Sequence, residues 1–168
     1  MIEFTLLHDF DVTPAQFWAL YLDPAFTRTL LLEGLGFGTA EIEPVVDRDG
    51  KRSRSMRVQP KLELPAAVAK VLGPKLGYTE TGRLDVARSE WSYEIAMSVL
   101  TERIRLGGRM KVEPLGERRC HRTSVLWVEV RILGVGGLIE KAAEKNMRDG
   151  WEKAAVWVAD WIRRNPPA

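Results

Sequence analysis

The chain has 168 residues, of which 45% are hydrophobic, and a net charge of +2. That is enough apolar material for the core of one domain spanning 1–168, and too little net charge to argue for a nucleic-acid partner. A single cysteine, Cys120, excludes an intramolecular disulfide, and His8, His121 and Cys120 stand too far apart in sequence to form a metal-ligand spacing.

The start, MIEFTLLHDF, has an early acid and no basic n-region, so it does not read as a secretory signal. No run of about 20 apolar residues could span a bilayer, and a cytoplasmic location is expected. IEFTLLHDF reads as a first strand. Asp11 or Thr13 starts a helix carrying Phe17, Trp18, Leu20 and Tyr21; Thr13 is a good N-cap and Pro14 suits the first helical position. Asp23-Pro24 interrupts it and begins a second short helix through Leu32, stopped at Gly34. Two strands come next, at 37–46 and 52–59. They are joined by Asp47-Arg48-Asp49-Gly50, a hairpin turn whose glycine tolerates a positive φ.

Pro60 and Pro65 bracket a connection, and PAAVAKVLG supplies one or two helical turns. The remaining strands alternate with a period of two. Over 76–86, Leu76, Tyr78, Leu84 and Val86 share a face, as do Trp91, Tyr93, Ile95 and Met97, and then Ile104, Leu106, Met110 and Val112, which alternate with Arg103, Arg105, Arg109 and Lys111. One wet face and one dry face mark an antiparallel sheet. The strand at 119–132 has mixed parity, with Leu126, Val128 and Val130 on one face and Val125 and Trp127 on the other, which a bulge would resolve. The order is strand, two helices, about six strands and a long helix, an α+β arrangement.

The last helix, from Gly136 to Arg164, is amphipathic. Ile139, Ala142, Ala143, Met147, Ala154, Trp157, Val158 and Trp161 form a dry arc opposite Lys141, Lys145, Arg148, Asp149 and Glu152. Asn146 and Gly150 sit near the centre of the dry arc. A mid-helix glycine costs about 1 kcal/mol relative to alanine, and a buried amide needs partners. Small residues and one amide facing Trp91, Tyr93 and Met97 imply unfilled space with the composition of a small-molecule pocket. The same residues fit a second reading equally well, in which Gly150 lets helix and sheet approach closely.

Two segments carry a family resemblance. One is RVQPKLELPAAVAKVLG, Arg57 to Gly73. The other is VEVRILGVGGLIEKAAEKNMRDGWEKAAVWVADWI, Val128 to Ile162, where a strand ends in a glycine-rich turn and Leu138-Ile139-Glu140 opens the last helix. With the order of elements, they resemble the helix-grip fold of the START and Bet v 1-like (SRPBCC) superfamily, and more narrowly the bacterial family DUF2505. The resemblance implies a curved antiparallel sheet of about seven strands wrapped around the C-terminal helix, with a lipid or other apolar molecule between them. It also implies that Pro65 to Gly73 lies beside the mouth.

Other constellations are weighed against simpler readings. His121 sits among Arg118, Arg119 and Arg122, which makes it an ordinary strand-end residue, and His8 serves as an acid or base only if it faces a cavity. Glu80 shares parity with Tyr78 and Leu84, but such residues more often sit wet at a strand end. KRSRSMR, Lys51 to Arg57, reads as a solvated edge hairpin protected by charge, or as a brief contact with anionic lipid headgroups. Cys120 reads as an inert small residue. The expected wall is Trp91, Tyr93, Met97 and Met110, and the expected roof is Met147, Gly150 and Trp157, with Asn146 as a polar contact. No catalytic residue, metal or cofactor is expected. Two further readings stay open: an enzyme of the cyclase or dehydratase kind using Glu80 or His121, and a protein-interaction module.

Overall fold

A computed structural model describes all 168 residues. Strand β1 (Ile2–Phe10) leads into α1 (Pro14–Leu22), whose start is fixed locally. Gln16 N donates to Thr13 Oγ1 and Thr13 N donates to Gln16 Oε1, a reciprocal box that satisfies two backbone donors at the helix start. Asp23 ends α1 and caps α2 (Pro24–Thr29) by accepting from Ala25 N and Phe26 N. The chain continues in one wide turn of π geometry at Leu30–Gly34.

The sheet has eight strands where about seven are expected. The difference lies at Pro44, which has no N–H to give a ladder. The first strand of the hairpin therefore splits into β2 (Thr39–Ile42) and β3 (Val46–Arg48), and both pair with β4 (Lys51–Gln59). Asp49 and Gly50 turn the chain with φ of 51° and 73°, both positive, as a two-residue hairpin requires. Helix α3 (Ala66–Leu72) follows, then β5 (Tyr78–Asp85), β6 (Glu90–Met97), β7 (Ile104–Pro114), β8 (Cys120–Val130) and α4 (Gly136–Arg164). All pairings are antiparallel in the order β1-β8-β7-β6-β5-β4-β2.

The topology keeps one expectation and corrects another. The β2/β3–β4 hairpin forms one end of the sheet, as an edge hairpin should, although β4 itself is paired on both sides, to β5 and to β2 and β3. And β8 needs no bulge, because its register is unbroken against β1 and β7. Cys120, Arg122, Ser124, Leu126 and Val128 are buried on its inner face. Its outward Trp127 lies over Gly107, where a Cβ would come within 2.7 Å of the indole. An apolar side chain covering a glycine on the outer face is what mixed the parity.

The inner face has the same device. Gly82 is in register with Tyr93 and Gly108, and a Cβ at Gly82 would fall inside the indole of Trp91. A Cβ at Gly108 would stand 2.7 Å from the Tyr93 hydroxyl. Both large rings thus lie down along the sheet. Helix α4 crosses this face, burying Ile139, Ala142, Ala155, Val158 and Ile162. It packs on β8 and β1, and also meets the π turn and α3.

Gly82→Ala forces the fully buried Trp91 off its strand. The variant is expected to lose about 2 kcal/mol of stability, the cost of overpacking a filled core, measured by urea denaturation.

Candidate functional site

The site lies between α4 and the inner face of β4–β8. Gly150 lies near the middle of the inward arc of α4, and a Cβ built there meets nothing within 4 Å. The close-packing reading of this glycine is therefore wrong. Its helical neighbours Ala143, Met147 and Ala154 are only half-buried, as are Tyr78, Ile95 and Met97 on the sheet opposite.

A ring of contacts frames this stretch of α4. At one end Asn146 binds the chain after β4: Glu63 N donates to its Oδ1, and its Nδ2 donates to Glu63 O and Ala142 O. At the other end Trp157 presses on Gly34 of the π turn, where a Cβ would stand 3.0 Å from the indole. The two contacts are about 16 Å apart along the helix. The stem of Lys61 passes Gly36, and Gly150 stands on α4 between the two contacts, on the inward arc by helical spacing. Asn146 thus ties down the loop at this mouth, and its amide is already bonded on both sides.

Deeper in, the sheet carries charge. Arg54 and Glu80, on neighbouring strands, both point inward and are buried. The Arg54 guanidinium donates through Nη1 to Tyr21 O at 2.5 Å and Thr27 Oγ1 at 3.1 Å, pinning the α1–α2 corner to the sheet. It also lies over the rings of Tyr21 and Trp91, 4.9 Å and 5.4 Å from their centroids. Its Nη2 is 3.8 Å from Glu80 Oε1, a long pairing that leaves this oxygen without a hydrogen bond. Burial raises the Glu80 carboxyl to about 7 against the pull of Arg54. Burial, and then the charge on Glu80, pushes the phenols of Tyr21, Tyr78 and Tyr93 above their ordinary range.

The expected site residues fall into three groups. Trp91, Tyr93 and Met110 are buried in one apolar cluster, and Trp157 packs against it. Met97 and Met147 are half-buried together beside a second cluster that includes Ile139 and Ala142. Asn146 binds the loop at Glu63, and Gly150 follows one turn further along α4. Glu80 is not wet at a strand end as expected; it is buried in mid-strand. His121 is on the outer face, 2.6 Å from Asp9, and does not reach the interior. The basic run is dispersed: Arg54 is inside, Arg52 pairs with Asp47 and Arg57 with Glu41, while Lys51 is exposed at the hairpin turn. Cys120 is buried, and burial holds its thiol up at about 11, in keeping with an inert residue. Arg54, Arg122, Ser124 and Tyr21 are interior polar residues that the sequence did not mark as part of a site, while Tyr78 lies on the face expected of it. Their signal is parity: Arg54 alternates in phase with Met56 and Val58, and Arg122 with Leu126 and Val128.

Two hollows open elsewhere. One of about 480 Å³ lies where β1 meets the end of α4, with Asp9, Asp11, Arg119 and Arg163 among its walls. Another, of about 190 Å³, lies beside β2. Arg119 pairs with Asp9 and Asp11 in the first, and Arg57 with Glu41 in the second, so much of their charge is internally matched. No cluster of histidine, cysteine and carboxylate side chains suits a metal ion, and no helix is long and apolar enough to cross a membrane.

Comparison with known proteins places this geometry. Residues 5–162 match the family model described as "Protein of unknown function (DUF2505)". No curated protein matches the sequence. The Zhui aromatase/cyclase from Streptomyces sp. R1128 superposes with a TM-score of 0.69 at 12% identity, covering 96% of this chain and 94% of that one. TTHA0849 from Thermus thermophilus gives 0.64 at 18% identity, over 99% and 100%. A START superfamily protein from Mycobacterium smegmatis gives 0.63 at 13% identity, over 96% and 97%. At these identities the likeness is one of fold, and the fold is the START/Bet v 1-like helix grip.

Two outcomes follow from the geometry. The folded protein holds the Glu80 proton more tightly than the unfolded chain, so the stabilisation is present below about pH 4.5 and is lost as pH rises to about 7. The stability of the wild type relative to Glu80→Gln is expected to fall by roughly 3 kcal/mol from about pH 4 to about pH 8, at about 1.4 kcal/mol per pK unit, in denaturation series at matched pH. Asn146→Ala frees the loop at Glu63, and faster amide hydrogen exchange is expected at residues 61–72 with the sheet unchanged.

Proposed function

The chain belongs to the DUF2505 family, and we propose that it is a cytoplasmic protein that binds or transfers a lipid or other apolar small molecule between the sheet and α4. The observation that carries this reading is the open space at Gly150. Glycine in mid-helix is destabilising, and here it admits no close neighbour in return. Half-buried Met147, one turn away on α4, and half-buried Met97 and Tyr78 on the sheet would give such a ligand an apolar, adaptable lining. The ring through Asn146–Glu63 and Gly34–Trp157 supplies the entrance. The helix-grip fold of the three solved structures supports the reading at the level of architecture.

A second reading, an enzyme acting on the same apolar ligand, is favoured by one group. Glu80 is a buried carboxyl with a free oxygen, held near neutrality and surrounded by phenols. A carboxyl of that kind can give and take a proton at physiological pH. The aromatase/cyclase neighbour carries chemistry on the same fold, and fold alone does not transfer it. Turnover that disappears in Glu80→Gln while binding persists supports this reading; turnover unaffected by the change excludes Glu80.

The test of binding uses N-phenyl-1-naphthylamine, a neutral probe that fluoresces in apolar surroundings. The wild type is expected to bind it saturably. Gly150→Phe fills the space and is expected to weaken binding at least tenfold with the fold retained by circular dichroism. Gly150→Ala adds only a methyl group and is expected to keep binding while stabilising the helix by about 1 kcal/mol. Equal probe binding by the wild type and Gly150→Phe would place the ligand elsewhere.

A further inference from the structure

A second group of polar atoms is buried under the turn of α4 that carries Gly150. Arg122 projects inward from β8, in register with His8 of β1 and Val112 of β7. Its guanidinium is packed among rings, with Cζ 5.0 Å from the centroid of Phe10, 6.0 Å from Phe17 and 4.8 Å from Trp151. The residue is 4% exposed. Its Nη2 donates to His8 Nδ1 at 2.8 Å, and its Nε has no partner. No carboxylate forms an ion pair with it. Glu152 is connected only through His8, whose Nε2 lies 3.1 Å from Glu152 Oε1. Burial, then the charge of Arg122, lowers the affinity of His8 for a proton, so the imidazole accepts from Arg122 at Nδ1 and adds no charge of its own.

A buried guanidinium without a counter-ion is among the most expensive arrangements a protein can hold. Aromatic faces offset part of that cost. They do not take up the remaining N–H donors.

The neighbouring orphans share one character. Ser124 Oγ, two residues along β8, has no partner, and neither do Tyr93 OH and Trp91 Nε1 across the sheet. Each can donate a hydrogen bond, and the interior carboxyl orphan, Glu80 Oε1, belongs to a group that burial holds near neutrality. What is missing from this interior is an acceptor, and beside Arg122 it is a negative one. Trp151, stacked on the guanidinium, is the residue next to Gly150, so the unpaired cation and the open space lie beneath the same turn of helix.

We propose that the ligand is an organic anion, an apolar aromatic body ending in a carboxylate, whose oxygens accept from Arg122 and Ser124 while the body lies along Trp151 and Met147 beneath Gly150. This rests on the interior being a ligand site. It goes further by assigning the ligand's charge and the residues that select it.

The experiment compares 2-naphthoate with 2-naphthalenemethanol, one body with and without the anion, by calorimetric titration of the full chain at neutral pH. The wild type is expected to bind the carboxylate at least tenfold tighter than the alcohol. Arg122→Met is expected to erase that preference while retaining the alcohol, and Arg122→Lys to keep part of it. Ser124→Ala is expected to weaken naphthoate severalfold without moving the alcohol, and it decides the matter if Arg122→Met does not fold. Equal binding of the two probes by the wild type, or a preference that survives in Arg122→Met, overturns the assignment of charge and leaves the binding function standing. Absence of binding by either probe overturns both.

Discussion

One helix about 10 Å across cannot cover eight strands spaced about 4.8 Å apart. Everything inside this protein follows from that mismatch. The sheet must curl, and α4 must choose a side. It lies on β8 and β1, where Ile139, Ala155, Val158 and Ile162 are buried. The middle and far strands need other cover. The α1–α2 corner supplies some of it, held down by Arg54 through Tyr21 O and Thr27. The flank between them is closed only at its ends, by Asn146 on Glu63 and by Trp157 on Gly34. The space left over is the candidate site.

The filling of that space is unusual for a core. Two guanidinium groups, one carboxyl and three phenols share the region with Trp91 and Met110. Low polarisability makes each unmatched group matter more, since electrostatic interactions are strengthened there as much as desolvation is. Glu80 answers by holding its proton, and Arg54 by recruiting backbone and rings. The glycines at 82 and 108 have the complementary effect, letting Trp91 and Tyr93 lie along the strands instead of standing up into the interior. The sheet thereby buries large rings while keeping its inner face low.

The parts of this structure legible in the sequence are those decided by neighbours in the chain. Thr13-Pro14 and Asp49-Gly50 act on residues next to them, and each appears as read. The long helix was legible because its dry arc repeats for about eight turns. What the sequence concealed depends on partners far away. Asn146 declared that it needed hydrogen bonds, but its partner Glu63 is 83 residues distant. Gly150 announced an absence without saying whether backbone or space would fill it. Arg54 was in phase with Met56 and Val58 all along, yet a basic run in an edge hairpin reads as solvated, and only the covering of β4 by the α1–α2 corner takes Arg54 out of water. His8 and His121 differ by strand parity across a pair whose register no local signal sets, and parity alone puts one inside and the other out.

Arg54 and Arg122 show what a packed interior does with a buried cation when it has the means, and what remains when it does not. Both lie on aromatic rings, and both are nearly inaccessible. Arg54 has a backbone carbonyl, a hydroxyl and a carboxyl in reach, and it joins sheet to helices. Arg122 has an imidazole that brings no charge. A stable core rarely keeps such a residue, because a methionine of similar length would pack as well and avoid the desolvation. The ring faces of Phe10, Phe17 and Trp151 offset part of the cost of its charge and leave its unpaired N–H donor unmatched. Local rules that a fold breaks without compensation tend to mark the place where it acts. Here the unpaired donor of Arg122 lies against Trp151 of α4, the residue next to Gly150, where a Cβ would meet nothing within 4 Å.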